Sequence, residues 1–124
     1  MSIHDDSSGR SAAVAHAEIG GDSWRSVAHA QRAATPDHSD WYAITGELVD
    51  TLRCLAAVAS VLAQQAEGYG RGRVLRDDAG ADPASRLVEA WSLGVQLRAE
   101  IDIAERTANR FWSAIGHIAV EVGP

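Results

Sequence analysis

The sequence predicts an all-α protein built on a long antiparallel hairpin of two helices that resembles a coiled coil. Two segments, residues 41–67 and 83–120, carry apolar residues at intervals of three and four, which is the spacing of one helix face. A glycine-rich connection, residues 68–82, separates them. Ahead of the hairpin, residues 1–39 are predicted to be disordered or weakly helical.

The N-terminal segment shows no helical period over residues 1–22, where Ser, Gly, Ala and Asp dominate. We therefore expect disorder there, closed by Gly20-Gly21. A short helix is predicted from Ser23 to Ala34, with Trp24 and Val27 on one side. A turn around Pro36 then ends this segment.

The first long helix is predicted from Trp41 to Glu67, with Ser39 or Asp40 as its N-cap and Gly68 as a left-handed C-cap. The apolar positions expected to face the second helix are Ile44, Leu48, Leu52 (or Thr51), Leu55, Ala59 (or Val58), Leu62 and Ala66. No charged residue lies between Arg53 and Glu67. A helix that is apolar on all sides is buried on all sides, so one neighbouring helix is not enough to cover it.

The second long helix is predicted to begin at Asp82-Pro83, an N-cap followed by proline at the first helical position, and to run to about residue 120. Its apolar stripe comprises Leu87, Trp91, Gly94, Leu97, Ile101, Ala104, Ala108, Phe111, Ile115 and Ile118. Equal helix lengths from the turn would place Trp41 near Phe111 and Trp112.

Two sets of apolar residues are singled out on the predicted hairpin. An aromatic cluster is expected at its open end, formed by Trp41, Tyr42, Phe111 and Trp112. An interaction face is expected for a further partner, formed by Leu55, Val58, Leu62, Trp91, Leu97 and Ile101. That partner is a second copy of the chain, giving a four-helix bundle, or another helical protein.

Composition excludes several functional classes. The net charge is −6 and no segment is strongly basic, which argues against nucleic acid as a partner. All eleven basic residues are arginine, so no lysine is present for Schiff-base chemistry. The single cysteine, Cys54, cannot form an internal disulfide.

The acidic N-terminus is unlike a signal peptide, and the longest apolar run, residues 54–63, is too short to cross a membrane. We therefore expect a cytoplasmic protein.

The connection is the one segment that suggests ligand binding. Its glycines expose backbone N–H groups, and Arg71, Arg73 and Arg76 could contact an anion. It lacks the preceding strand and the Lys-Ser/Thr of a phosphate-binding P-loop, and acidic residues follow closely. A flexible connector is the favoured interpretation. A small regulatory protein that binds nucleic acid or a ligand through residues 68–76 is the alternative function.

Catalytic and metal-binding patterns are absent from the sequence. The five histidines are scattered, and no pair has the spacing of metal ligands on a predicted helix. The acidic residues of the second helix alternate with arginines, as on a solvated face. Cys54 has no nearby histidine on its helix that would activate the thiol. We therefore expect neither an enzyme nor a bound metal or cofactor.

The stretch from Phe111 to Val122, together with Val74-Leu75-Arg76-Asp77-Asp78 ahead of Asp82-Pro83, resembles small helical-hairpin proteins of actinobacteria over residues 41–124. The resemblance implies a helical hairpin and brings no functional residues with it. The hairpin is also similar in outline to the small secreted hairpins of the WXG100 type, but its turn lacks their Trp-x-Gly. The main functional hypothesis is a non-enzymatic module for protein–protein interaction or oligomerisation.

Overall fold

The computed structural model describes residues 9–122, which form three α-helices and no β-strand. Helix α1 spans Ala12–Ala33, α2 spans His38–Gly68 and α3 spans Pro83–Gly116. The predicted all-α class is therefore confirmed. The chain divides into two units, residues 1–37 and residues 38–124, and each is described by itself.

Helix α1 overturns the prediction of disorder for residues 12–22. Ser11 caps it by accepting a hydrogen bond from the Val14 backbone N–H, and it continues through Gly20-Gly21 to Ala33 without burying any residue. Each interior glycine costs a helix about 1 kcal/mol relative to alanine. The alanines towards both ends of the helix offset part of this cost, and Gly20-Gly21 does not end the element. The part of the disorder prediction that concerns residues 1–8 lies outside the described residues.

Helix α2 begins at His38, three residues earlier than predicted, so Ser39 and Asp40 lie inside its first turn. It ends at Gly68, which is itself helical. The described glycines with positive φ are Gly9, Gly72 and Gly80. The prediction of Gly68 as a left-handed C-cap is therefore wrong.

Helix α3 has the predicted start and an earlier end. Asp82 accepts hydrogen bonds from the Ser85 backbone N–H at 3.3 Å and from its hydroxyl at 3.0 Å, and Pro83 opens the helix. The helix ends at Gly116 instead of continuing to about 120. There the His117 backbone N–H bonds back to the carbonyls of Ser113 and Ala114, which closes the last turn. The β-branched residues that follow favour extended backbone over helix.

Helices α2 and α3 pack side by side and run antiparallel. Contacts join Gly46 to Trp112 near one end and Ala63 to Gly94 near the other, and Arg53 pairs with Glu105 between them. The buried residues of the pair are few and mostly small: Thr45, Val49, Ala56, Ala59, Ala63, Ala108 and Ile115.

This core corrects the predicted contact face of α2. The buried residues of α2 are Thr45, Val49, Ala56, Ala59 and Ala63. Ala59 is among the positions predicted to face α3, and the other four each lie one residue after a predicted position. Small side chains let the two backbones approach closely, and close approach gives many packing contacts per residue. The larger side chains at 55, 58 and 62 are consequently left exposed.

The open end of the pair carries a contact between the two helices' termini. The His38 ring, at the start of α2, lies with Nε2 2.9 Å from the Ile115 carbonyl oxygen near the end of α3. A carbonyl oxygen only accepts, so Nε2 carries the proton in this bond. Ile115 is almost completely buried, and the bond therefore ties the start of α2 to the core.

Candidate interaction surface

One side of the α2/α3 pair is lined by six apolar residues in two heptad-spaced sets. They are Leu48, Leu55 and Leu62 of α2, and Leu97, Ala104 and Phe111 of α3, and we call this surface the leucine face. On α2 the set lies one residue before the buried Val49, Ala56 and Ala63, which is about 100° around the helix at 3.6 residues per turn. On α3, Ala104 and Phe111 lie four residues before the buried Ala108 and Ile115, which is about 40° around the helix in the same sense. Because the helices are antiparallel, rotations in the same sense bring both sets to the same side.

The leucine face is open to solvent in a single chain. Leu55, Leu62, Leu97 and Phe111 are each about half exposed. Val58 and Leu93 extend the same side outward and are also about half exposed. Monomeric proteins rarely present contiguous apolar patches of this kind unless the patch binds something. This surface is therefore the strongest candidate for a binding site in the described chain.

The structure brings together five of the six residues predicted for the interaction face. Leu55, Val58, Leu62 and Leu97 lie on or beside the leucine face, and Ile101 lies half-buried where that face meets the core. Trp91 does not join them. Its side chain lies on the opposite side of the pair, in a groove with Ser60, Ala63 and Arg98.

The opposite side of the pair is polar along much of its length. Arg53 pairs with Glu105 at 3.3 Å, and Glu105 also accepts a hydrogen bond from Asn109. Further along, Arg98 donates to the Ser60 hydroxyl across the pair and to Asp102 on its own helix. We call this the polar side. Its charged groups pair within the chain, and the apolar side chains of Trp91 and Val95 are exposed beside them.

The predicted aromatic cluster divides into two pairs. Trp41 and Phe111 meet edge to face, with ring centroids 6.2 Å apart, at the border of the leucine face. Tyr42 and Trp112 lie 5.3 Å apart at an interplanar angle of 34° on the polar side. The backbone of α2 separates the pairs, since residues 41 and 42 project about 100° apart on a helix.

Trp112 has an unusual environment. Its indole packs over Gly46, where a Cβ would come within 3.0 Å of the ring. Its Nε1–H is buried and lacks a hydrogen-bond acceptor within the described chain. Leaving such a donor unpaired costs about 1–3 kcal/mol, so the ring is held there by its packing against Gly46 and Tyr42.

The connection between α2 and α3 is organised by Asp77. Its carboxylate accepts hydrogen bonds from the backbone N–H groups of Ala79 and Ala81, each at 3.0 Å, and from Arg86 at 2.8 Å. The hydrogen bond from Arg86, with that from Ala81, lowers the pKa of the Asp77 carboxyl from 3.8 to about 2. The carboxylate in turn raises the pKa of Arg86 further. The second half of the connection is thus fixed to the first turns of α3.

The arginines predicted to contact an anion do not converge. The Arg73 guanidinium stacks over the Tyr69 ring, 4.2 Å from its centroid, and donates to the Tyr69 carbonyl at 2.8 Å. Arg71 and Arg76 are exposed at separate points of the connection, and Arg71 lies near Gly68. One of the three is therefore occupied by the connection itself, and the other two do not form a site with it.

A groove of about 520 Å³ lies where the connection meets the helices, lined mainly by Ala66, Leu87, Val88 and Trp91, with Glu67 and Arg71 at its edge. It is broad and open. It holds no cluster of polar groups of the kind that catalysis requires.

The described residues contain neither a metal-binding cluster nor a membrane-spanning helix. Within residues 9–122, no group of three or more His, Cys, Asp or Glu side chains is placed to hold a metal ion. None of the three helices combines the length and the apolar character needed to cross a bilayer. Cys54 is exposed and forms no disulfide.

Comparisons with family models, with curated protein sequences and with solved structures found no match to this chain.

Proposed function

We propose that this protein is a non-enzymatic helical interaction module, and that the leucine face is its binding surface. In this proposal the α2/α3 pair is a coiled-coil-like hairpin that forms half of a four-helix bundle. The other half is a second pair of helices, contributed by another copy of the chain or by another helical protein. The observation that carries the proposal is the exposed heptad pattern of the leucine face.

The pattern supports this function because the two sides of the pair differ so clearly. On the polar side, Arg53 forms an ion pair with Glu105 across the helices, and Arg98 donates a hydrogen bond to the Ser60 hydroxyl. On the leucine face, side chains of the size normally used in cores are left in water. Burying one half-exposed leucine stabilises an assembly by about 1 kcal/mol, at roughly 25 cal/mol per Å² of apolar surface. The leucine face has at least four such side chains.

The most direct test compares Leu97 with Val95. Both are on α3, two residues apart, and their side chains are 49% and 47% exposed, but they lie on opposite sides of the pair. The photo-crosslinking residue p-benzoylphenylalanine is placed at one position or the other in the full chain, expressed in the organism that encodes it. We expect a discrete crosslinked adduct from position 97 and none from position 95.

A second substitution shows whether the adduct depends on the whole face. Leu55→Glu, on the other helix, should abolish the adduct formed from position 97. Val61→Glu is the control. Val61 is about as exposed as Leu55, but it lies on the side of α2 that faces neither the leucine face nor the polar side. Equal crosslinking from positions 95 and 97, or none from either, would remove the leucine face as the binding surface.

The proposal retains the cytoplasmic location expected from the sequence. Fractionation of the same cells, followed by detection of the chain and its adduct, tests this part. Recovery of the chain in the membrane or secreted fraction would contradict it.

A further inference from the structure

We infer that the partner of the leucine face is a second copy of this chain, related by a two-fold axis that passes between the copies at the level of Leu55 and Ala104. This inference rests on the proposed function and identifies the partner and its orientation. It is carried by the relative height of the two heptad sets on α2 and α3.

Contacts between the two helices fix that height. Gly94 lies against the Cα of Ala63, and Gly46 lies against the Trp112 indole. Counting along the antiparallel helices from these two contacts, Leu55 is level with Asp102 or Ile103. Leu55 and Ala104 therefore lie within about 3 Å of the same height along the pair, at 1.5 Å per residue.

Leu55 and Ala104 are also the middle members of their sets. Leu48 and Leu62 lie seven residues to either side of Leu55, and Leu97 and Phe111 lie seven to either side of Ala104. A two-fold axis perpendicular to the helices at this height therefore places each set opposite the same set of the second copy. Leu55 meets the partner's Leu55, and Leu48 meets the partner's Leu62. A surface that matches itself in this way is what a two-fold symmetric dimer requires.

The charges beside the face agree with this axis. Glu100 lies at the outer edge of the α3 set, four residues before Ala104. The axis places it near Thr107 of the partner subunit, so no like charges meet. An axis parallel to the helices would instead place Glu100 over Val58 of the partner subunit, and a carboxylate against an apolar side chain loses hydration without a compensating bond.

The size of the face is close to what a stable dimer needs. With the axis at this height, α2 overlaps the partner's α2 over residues 42–68 and α3 overlaps the partner's α3 over residues 92–116. The overlap is about 35–40 Å long at 1.5 Å per residue, and two helices make it about 20 Å wide, so its projected area is roughly 700 Å². Stable interfaces bury about 800 Å² on each partner, so the overlap is close to the size that a dimer needs, and all six residues of the leucine face lie within it.

Cysteine crosslinking of the full chain tests the axis directly. All variants carry Cys54→Ser, because the native thiol is exposed and next to position 55. Under mild oxidation, Leu55→Cys alone should give a disulfide-linked dimer, since a residue on the axis meets itself. Leu48→Cys and Leu62→Cys should not crosslink singly, because each lies about 21 Å from its own copy. The double variant Leu48→Cys/Leu62→Cys should crosslink. Val61→Cys is the control for random collisions.

The outcomes separate the inference from the proposed function. Crosslinking of Leu55→Cys/Ala104→Cys, with neither single variant crosslinking, would place the axis parallel to the helices and overturn the inferred orientation. A chain that sediments as a monomer at tens of micromolar would exclude the second copy as partner. If position 97 still forms its adduct with another protein in cells, the proposed function stands while this inference fails.

Discussion

Gly94 of α3 lies against Ala63 of α2 without space for a side chain between them. A Cβ on Gly94 would come within 2.8 Å of the Ala63 Cβ and 3.2 Å of its Cα. This is the closest approach of the two helices recorded at any glycine of the pair. It explains why alanines rather than leucines fill the core of α2, since larger residues would hold the helices apart.

Gly94→Ala should therefore destabilise the pair. Alanine improves helix propensity by about 1 kcal/mol, but overpacking at a backbone contact typically costs about 1–3 kcal/mol. We expect a net loss, measured as the free energy of urea unfolding by circular dichroism at one fixed protein concentration. Gly20→Ala in α1, where a Cβ meets nothing within 4 Å, should instead increase helicity. A Gly94→Ala variant as stable as the parent would show that the helices separate easily.

Gly46→Ala should also destabilise, for a different reason. The new Cβ would meet the Trp112 indole at 3.0 Å, and the ring is held in place by Tyr42. Combining it with Trp112→Phe, which presents a smaller ring, should reduce the cost of the alanine by about 1 kcal/mol, within the range seen for residues in contact. If the cost of Gly46→Ala is the same in both backgrounds, the indole is not the obstacle.

His38→Ala should lower the stability of the pair by about 0.5–1.5 kcal/mol, the net contribution of one hydrogen bond. The Ile115 carbonyl keeps a second donor, the Ile118 backbone N–H at 3.0 Å, so it is not left unpaired and the loss stays within this range. Thermal unfolding monitored by circular dichroism gives the comparison. His29→Ala, an exposed histidine on α1, serves as the control. Equal effects of the two substitutions would mean that the His38 bond contributes nothing.

Asp77→Asn should change how stability depends on pH. The pKa of Asp77 is lowered from 3.8 to about 2 in the folded chain. The ionised carboxylate therefore makes its full contribution to the free energy of unfolding above its ordinary pKa, and this contribution is lost as the pH falls from about 4 to about 2. The difference in unfolding free energy between the parent and Asp77→Asn should therefore be largest at neutral pH and shrink towards pH 2.

Asp78→Asn is the matched control for this experiment, because it removes one charge from the same connection but from an exposed side chain. The parent and Asp77→Asn are measured with it at pH 2, 3, 4 and 7. A difference between the parent and Asp77→Asn that stays constant over this range would show that the carboxylate does not hold the connection.

Periodicity predicts α2 and α3 well, because apolar residues recur every three or four positions through both. It does not decide which of two neighbouring stripes faces the partner helix. On α2, the stripe with Leu55 and the stripe with Ala56 have the same spacing, and only the close approach at Ala63 and Gly94 selects the second. A preference for large apolar residues therefore points to the wrong side for contact between α2 and α3. Several residues that this preference selects, namely Leu55, Val58, Leu62 and Leu97, are among those that the pair leaves exposed.

The helix predicted from Ser23 to Ala34 coincides with the second half of α1, which spans Ala12–Ala33. The first half is missed because residues 12–22 lack a continuous apolar stripe and contain Gly20-Gly21, so its stability depends on local capping and alanine content that a periodicity argument ignores. The Asp77 contacts are missed for a related reason. The sequence offers a turn signal in Asp77 followed by Gly80, but the pairing with Arg86 depends on how the chain enters α3. Contacts of this kind appear only when the path of the backbone is known.

The contacts of Asp77 divide the connection into two parts that should respond differently to added chain. From Asp77 to Asp82 the backbone is held to α3 by the hydrogen bonds of Asp77 with Ala79, Ala81 and Arg86. An insertion there would displace the start of that helix. Val74 is fully exposed on the other part. A reporter peptide or a protease site introduced beside Val74 would extend the connection while leaving both packed helices and the leucine face intact. This position is therefore suitable for labelling the protein.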